Sequence, residues 1–98
     1  MNKEPAYRAL DYIKSHPEKW DQDNYCGTAC CIAGHVVLLE DGEFPVGRDG
    51  KPSEWHTRER AAKILKLTSK DDYDLVLTLF SPKNTIGDLK RIIDEAPE

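Results

Sequence analysis

The feature that most constrains the fold is an eleven-residue run, Ala29–Leu39, in which every residue except His35 is apolar or small. A helix that is apolar on all sides belongs at the centre of a fold, where other elements cover it. Thr28 is a suitable N-cap, and Gly42 can take the left-handed conformation that ends a helix. Because Gly34 is unfavourable inside a helix, we expect a neighbouring helix to approach closely there. The run predicts a buried central helix from Thr28 to Leu39.

An amphipathic helix is predicted before this run. Its apolar residues follow the i, i+3, i+4, i+7 spacing of one helical face, and they are Ala6, Ala9, Leu10 and Ile13. Pro5 suits the first turn, and Pro17 ends the helix because the residue before a proline is disfavoured in helical geometry. The polar segment from Glu18 to Tyr25 is predicted to be a loop, with Trp20 as its main large anchor.

Residues 42–53 form the stretch that is richest in glycine and proline. Asp49-Gly50 is a hairpin-turn signal, but Pro52 removes a hydrogen-bond donor from the second arm. Two interpretations remain open for this segment, a plain loop and a small β-hairpin.

Three shorter helices are predicted to follow. Thr57 is the expected cap of the first, Thr68 or Ser69 of the second, and Thr85 with Asp88 resembles a capping box for the third. The second segment is ambiguous, because its leucines also alternate as they would in a strand. The predicted apolar faces are Ala61, Ile64 and Leu65, then Tyr73, Val76, Leu77 and Phe80, then Ile86, Leu89 and Ile93.

The length of 98 residues is typical of one domain with one core. We therefore expect residues 1–98 to form a single all-α domain, with about five short helices around the central apolar helix. A β-hairpin at 42–53 would be a minor addition to that architecture.

Charge and composition argue against several classes of function. The chain has 14 basic and 18 acidic side chains, a net charge of −4, whereas nucleic-acid and anionic-membrane binders usually carry excess Lys and Arg. No apolar run reaches the roughly 20 residues of a membrane span, and residues 1–5 do not resemble a secretory signal. We expect a complete gene product in the cytoplasm, with reduced cysteines, no nucleic-acid or membrane partner, and no cofactor.

Cys26, Cys30 and Cys31 raise the question of a metal site. Cys26, Cys31 and His35 could supply three zinc ligands, with a fourth from another histidine, either His16 or His56. No second Cys/His pair at ligand spacing is present elsewhere, and buried thiols are common in cores. Core packing is the favoured interpretation, and a small structural zinc domain is the alternative function.

An enzyme is the least favoured class. Cys26 precedes a helix N-terminus, where the helix dipole lowers a thiol pKa. His35, the nearest candidate base along the chain, would lie roughly 10 Å farther along the helix axis. We therefore predict that the protein is not an enzyme and has no catalytic residues.

A basic cluster on the helix after the central loop suggests a helix-turn-helix, and its residues are Arg58, Arg60, Lys63 and Lys66. The next helix, which would enter the major groove, begins with acidic residues that repel phosphate: Asp71, Asp72 and Asp74. A solvated basic face is therefore the favoured interpretation of the cluster.

Large aromatic residues in the loops are the candidate partner-binding groups. Trp20 and Trp55 are predicted to lie in polar loops that flank the central helix, and Phe44 lies in the loop between them. Loop tryptophans commonly cover the core, but tryptophan is also enriched at binding hot spots. Whichever of these three residues stands exposed is the predicted contact with a partner.

Several motifs resemble a family of small proteins encoded by actinobacteriophages and some bacterial genomes. The N-terminal half has His16-Pro17-Glu18-x-Trp20 and Cys26-Gly27-Thr28-x-x-Cys31-x-Ala33-Gly34. The C-terminal half adds Arg60-Ala61-Ala62-Lys63-Ile64-Leu65, Leu79-Phe80 and Asn84-Thr85-Ile86-x-Asp88-Leu89. The resemblance extends over nearly the whole chain, and the Cys-Gly-Thr-x-x-Cys-x-Ala-Gly motif is its most specific part.

This resemblance implies a phage accessory protein and no particular biochemical activity. The family pattern often has tryptophan where this chain has His35, and a position that accepts tryptophan is not a metal ligand. It usually has Asn-Thr-Leu where this chain has Asn84-Thr85-Ile86. We therefore expect a non-enzymatic protein that binds a host protein and is toxic to the host.

Overall fold

The computed structural model describes residues 1–24 and 29–97, and it contains five α-helices there. Two short 3₁₀ helices, Pro17–Lys19 and Lys70–Asp72, connect them. No strand is assigned in these residues, so the all-α prediction is confirmed. No helix within them is long and apolar enough to cross a membrane. The α-helices are α1 (Lys3–Ser15), α2 (Ile32–Asp41), α3 (Glu54–Ile64), α4 (Tyr73–Leu79) and α5 (Ile86–Glu95).

The central helix is α2, as the apolar run predicts. Every residue from Ile32 to Val37 is buried, and α2 packs against both α1 and α3. Its C-terminus is also where the sequence places it: Gly42 has φ +81°, and its amide donates to Leu38 O. The outer end of α2 is less enclosed than predicted, because Leu39 is 42% exposed.

The predicted start of this helix is wrong. α2 begins at Ile32, and Cys31 is its N-cap residue in an extended conformation. Cys30 forms a parallel bridge with Trp20, in which its amide donates to Lys19 O at 2.9 Å and its carbonyl accepts from Asp21 N at 3.0 Å. These bonds hold the chain extended where helix was expected. The predicted Thr28 cap lies outside the described residues.

A buried glutamine joins this bridge to the rest of the fold. Gln22 is 7% exposed, and its Oε1 accepts from Trp20 Nε1 at 3.0 Å and from Ile32 N at 3.3 Å. Its Nε2 donates to Leu79 O at 3.2 Å and Ser81 O at 3.1 Å. The loop predicted from Glu18 to Tyr25 is therefore fixed to α2 and to the end of α4.

The N-terminus of α3 differs from the prediction. The cap is Ser53, whose Oγ accepts the His56 amide, so α3 begins three residues before Thr57. Thr57 is buried inside the helix, where its hydroxyl donates to Ser53 O at 2.7 Å. Trp55 consequently lies in the first turn of α3 rather than in a loop.

The buried face of α4 is also different. Ser69 is one of the two predicted caps, and it forms a capping box at the start of the 3₁₀ turn before α4. Of the predicted apolar face, Val76 and Phe80 are buried, but Tyr73 is 60% and Leu77 is 46% exposed. Leu79 is buried in their place, so the buried face consists of Val76, Leu79 and Phe80 and is rotated around the helix from the predicted one.

The remaining elements lie where the sequence predicts them. α1 buries the four predicted apolar residues together with Pro5. α5 begins with the predicted capping box between Thr85 and Asp88. Residues 42–53 are a loop closed by one isolated bridge, Val46 with Pro52, and no hairpin strand forms there.

Candidate protein-binding groove

An apolar recess lies between α3 and the 3₁₀–α4 segment, with a volume of about 280 Å³. We call it the α3–α4 groove. One face of α3 forms the first wall, and the side chains from Ser69 to Val76 form the other. The lining residues are Trp55, Arg58, Glu59, Ala62, Leu67, Thr68, Ser69, Lys70, Tyr73 and Val76.

The end of α3 shapes the floor of the groove. Lys66 has φ +58°, its amide donates to Lys63 O, and the Leu67 amide donates to Ala62 O at 2.8 Å. These two bonds are those of a Schellman motif, in which a left-handed residue reverses the chain after a helix. The reversal brings Leu67 back beside Ala62, so both apolar side chains line the groove.

Two aromatic side chains stand on opposite walls of the groove. Trp55 on α3 and Tyr73 on α4 are each 60% exposed. The His56 ring meets the Trp55 indole edge-on at a centroid distance of 5.1 Å, and a 2.7 Å hydrogen bond joins His56 Nδ1 and Ser53 Oγ. Large exposed aromatic side chains beside an apolar recess are typical of protein-binding sites.

The groove continues beyond Val76. A second recess, with a volume of about 320 Å³, shares Arg58 and Val76 with the first and includes Leu77 and Phe80. Leu77 is among the large apolar side chains that remain exposed. The apolar surface therefore extends along the whole of α4.

Of the three aromatic residues predicted to contact a partner, the structure exposes Trp55 and brings it to the groove. Trp20 is half-buried against the core and donates to Gln22, so its role is structural. Phe44 is half-buried and does not line the groove. Tyr73 and Leu77 were not predicted to be part of a site, because their helical spacing places both in the core. The acidic residues that surround Tyr73 are the signal that could have placed it at the surface.

The candidate metal ligands are only partly described. Cys26 lies outside the described residues, and no group of three potential ligands is found within them. Cys31 is 1% exposed, and its burial raises the pKa of the thiol to about 11. His35 is also buried, and its Nε2 donates to Lys19 O at 2.8 Å. Cys31 is therefore a protonated core thiol rather than a reactive nucleophile.

The Ser53–His56 contact resembles a catalytic pair but is explained by helix capping. Ser53 Oγ accepts a hydrogen bond from the His56 amide and also contacts the His56 ring within the same helical turn. A base that activates a hydroxyl is normally oriented by a third group. No carboxylate in the described part of the chain hydrogen-bonds to His56.

The burial of His35 predicts a specific pH dependence of folding. Desolvation lowers the pKa of His35 below its ordinary value of 6.5, so the folded protein holds it neutral. As the pH falls through 6.5, the unfolded chain takes up a proton before the folded chain does. We expect the free energy of unfolding to decrease between pH 7.5 and pH 5.5, as measured by urea denaturation.

The slope of the free energy of unfolding against pH shows whether His35 causes this loss of stability. A His35→Gln variant should lose less stability over the same pH interval, whatever its stability at pH 7.5. His56→Gln, which removes an exposed histidine, serves as the matched control and should retain the wild-type slope. A His35→Gln variant with the full wild-type slope would contradict the assignment.

Comparison of the sequence with protein-family models, with curated proteins and with solved structures finds no match.

Proposed function

We propose that this protein is a non-enzymatic phage accessory protein that acts in the cytoplasm by binding a host protein. The observation that carries the proposal is the pair of exposed aromatic side chains, Trp55 and Tyr73, on the two walls of an apolar groove. Binding energy at protein interfaces is concentrated in a few such anchors. The phage origin rests on the sequence motifs, since a resemblance of this kind supports an accessory role.

Binding by occupancy has a consequence for host toxicity. A protein that blocks a surface of its partner must be present at a concentration comparable to that of the partner, whereas an enzyme acts at much lower levels. We expect host growth to be slowed in proportion to the level of expression.

Affinity capture from a host lysate tests the proposal. The wild-type chain should retain one host protein, and a double variant, Trp55→Ala with Tyr73→Ala, should bind it at least about tenfold more weakly. Its melting temperature should stay close to that of the wild type, because both side chains are mostly exposed.

A matched control separates the groove from exposed apolar surface in general. Val46 is 58% exposed and lies outside the groove, so Val46→Ala should capture the host protein normally. Failure of the wild type to retain a specific host protein would contradict the proposed function. Equal capture of the host protein by the wild type and by the double variant would show that the α3–α4 groove is not the binding site.

A further inference from the structure

We infer that the α3–α4 groove receives an amphipathic helix of the partner that carries acidic residues beside its apolar anchors. This inference rests on the proposed function and adds the chemistry of the bound segment. Three observations support it: the shape of the groove, the hydrogen bonding of its walls, and the distribution of charge around it.

The groove has the shape of a helix-binding site. Trp55, Arg58, Glu59 and Ala62 follow the i, i+3, i+4, i+7 spacing, so a single stripe of α3 lines the groove. The α3 residues that line the groove run from Trp55 to Ala62, about 10 Å at 1.5 Å per residue, which corresponds to about two turns of a bound helix. Helices that bind in grooves use anchors with this same spacing.

The walls offer little backbone hydrogen bonding to a ligand. Both walls are helical, and no strand edge is available in the residues that the structure describes. An extended segment that binds by strand addition depends on main-chain bonds to such an edge. A helix satisfies its own backbone groups, so it can be held by side-chain contacts alone.

The charge around the groove is basic although the chain is acidic overall. Arg58 and Lys70 line the groove, Lys63 lines an adjoining recess, and Glu59 is the acidic residue among the lining side chains. No ion pair is found for these three basic side chains within the described residues, whereas Arg60 is held by Asp41 at 2.8 Å.

Three acidic residues that follow Lys70 in the sequence line a different recess, and the carboxylate of one of them, Asp72, accepts the Ser69 amide. The three are Asp71, Asp72 and Asp74, and their recess also contains Leu75 and Thr78. The unpaired cations of the groove therefore favour a ligand with acidic side chains, because complementary charge directs encounter and excludes unsuitable partners.

Selection from a library of displayed random 16-residue peptides tests the inference. The intact protein is the bait, and peptides that also bind the Trp55→Ala, Tyr73→Ala double variant are removed. We expect the remaining peptides to be net acidic, with apolar residues at i, i+3 or i+4, and i+7. The most enriched peptide, made synthetically, should gain helical circular dichroism on binding.

Charge reversal provides the matched comparison. Arg58→Glu with Lys70→Glu should weaken binding of this peptide at least tenfold. Lys14→Glu with Lys51→Glu makes the same change in net charge at two exposed lysines outside the groove that have no ion pair among the described residues, and it should leave the affinity unchanged. Equal effects of the two changes would show that only net charge matters and would overturn the inference.

Other occupants give different results. Enrichment of basic or proline-rich peptides, or no enrichment that depends on the groove, would overturn the inference. A dimer in sedimentation equilibrium that Trp55→Ala dissociates would assign the groove to a second copy. If host capture still depends on the groove while acidic peptides fail, the proposed function stands and the inference alone falls.

Discussion

Replacement of Gly34 by leucine is expected to destabilise the protein by at least about 3 kcal/mol, because a well-packed core has no space for four additional heavy atoms. Gly34 is buried in α2, between Ala33 and His35, which are also buried. α2 packs against both α1 and α3, so a large side chain added to its buried surface must displace packed atoms. For a chain of this size the melting temperature should fall on the order of 15 °C.

Gly87 provides the matched control for this substitution. It lies in the first turn of α5 and is exposed, and a Cβ there would meet only Thr85 Oγ1 at 3.8 Å. Gly87→Ala should therefore raise stability by up to about 1 kcal/mol, through helix propensity. If Gly34→Leu melted at the wild-type temperature, the close approach of a neighbouring helix at Gly34 would be refuted.

Replacement of Gln22 by alanine is the second change with a large expected effect. It removes the acceptor of the Trp20 indole N–H and of the Ile32 amide, and the donor to Leu79 O and Ser81 O. Leu79 O keeps a bond from the Asn84 side chain and Ser81 O keeps one from the Asn84 amide, so the Trp20 indole N–H and the Ile32 amide are the groups left without a partner. Each buried group left without a partner costs about 1 kcal/mol or more, so we expect a loss of about 2 kcal/mol.

Urea denaturation measures this loss, and Asp23→Ala is the control from the neighbouring position. Asp23 is exposed, so its replacement should change the free energy of unfolding by less than about 0.5 kcal/mol. A Gln22→Ala variant with wild-type stability would show that this hydrogen-bond network does not contribute to holding the loop.

Local rules of helix formation were sufficient to predict most of the architecture. The one-sided spacing of α1, the apolar run of α2 and the capping box of α5 are each set by neighbouring residues. The start of α2 was not predictable in this way. It depends on the bridge between Cys30 and Trp20, which are ten positions apart, and on the buried amide of Gln22.

The candidate site was predicted in part. Trp55 was identified from its residue type, although the prediction placed it in a loop. Tyr73 and Leu77 were missed because their spacing fits a buried helical face, and only the packing of Leu79 and Phe80 shows which side of α4 meets the core. The groove arises from two segments that meet in space, and the spacing of residues along one segment does not reveal such a meeting.

Hydroxyl-radical footprinting of the protein, alone and bound to its captured host protein, tests the central claim most directly. It reports the solvent exposure of individual side chains without any substitution. We predict that oxidation of Trp55 and Tyr73 falls several-fold in the complex, while Leu39 and Val46 remain as reactive as in the isolated chain. Unchanged oxidation of both aromatic residues, together with protection elsewhere on the surface, would contradict the central claim.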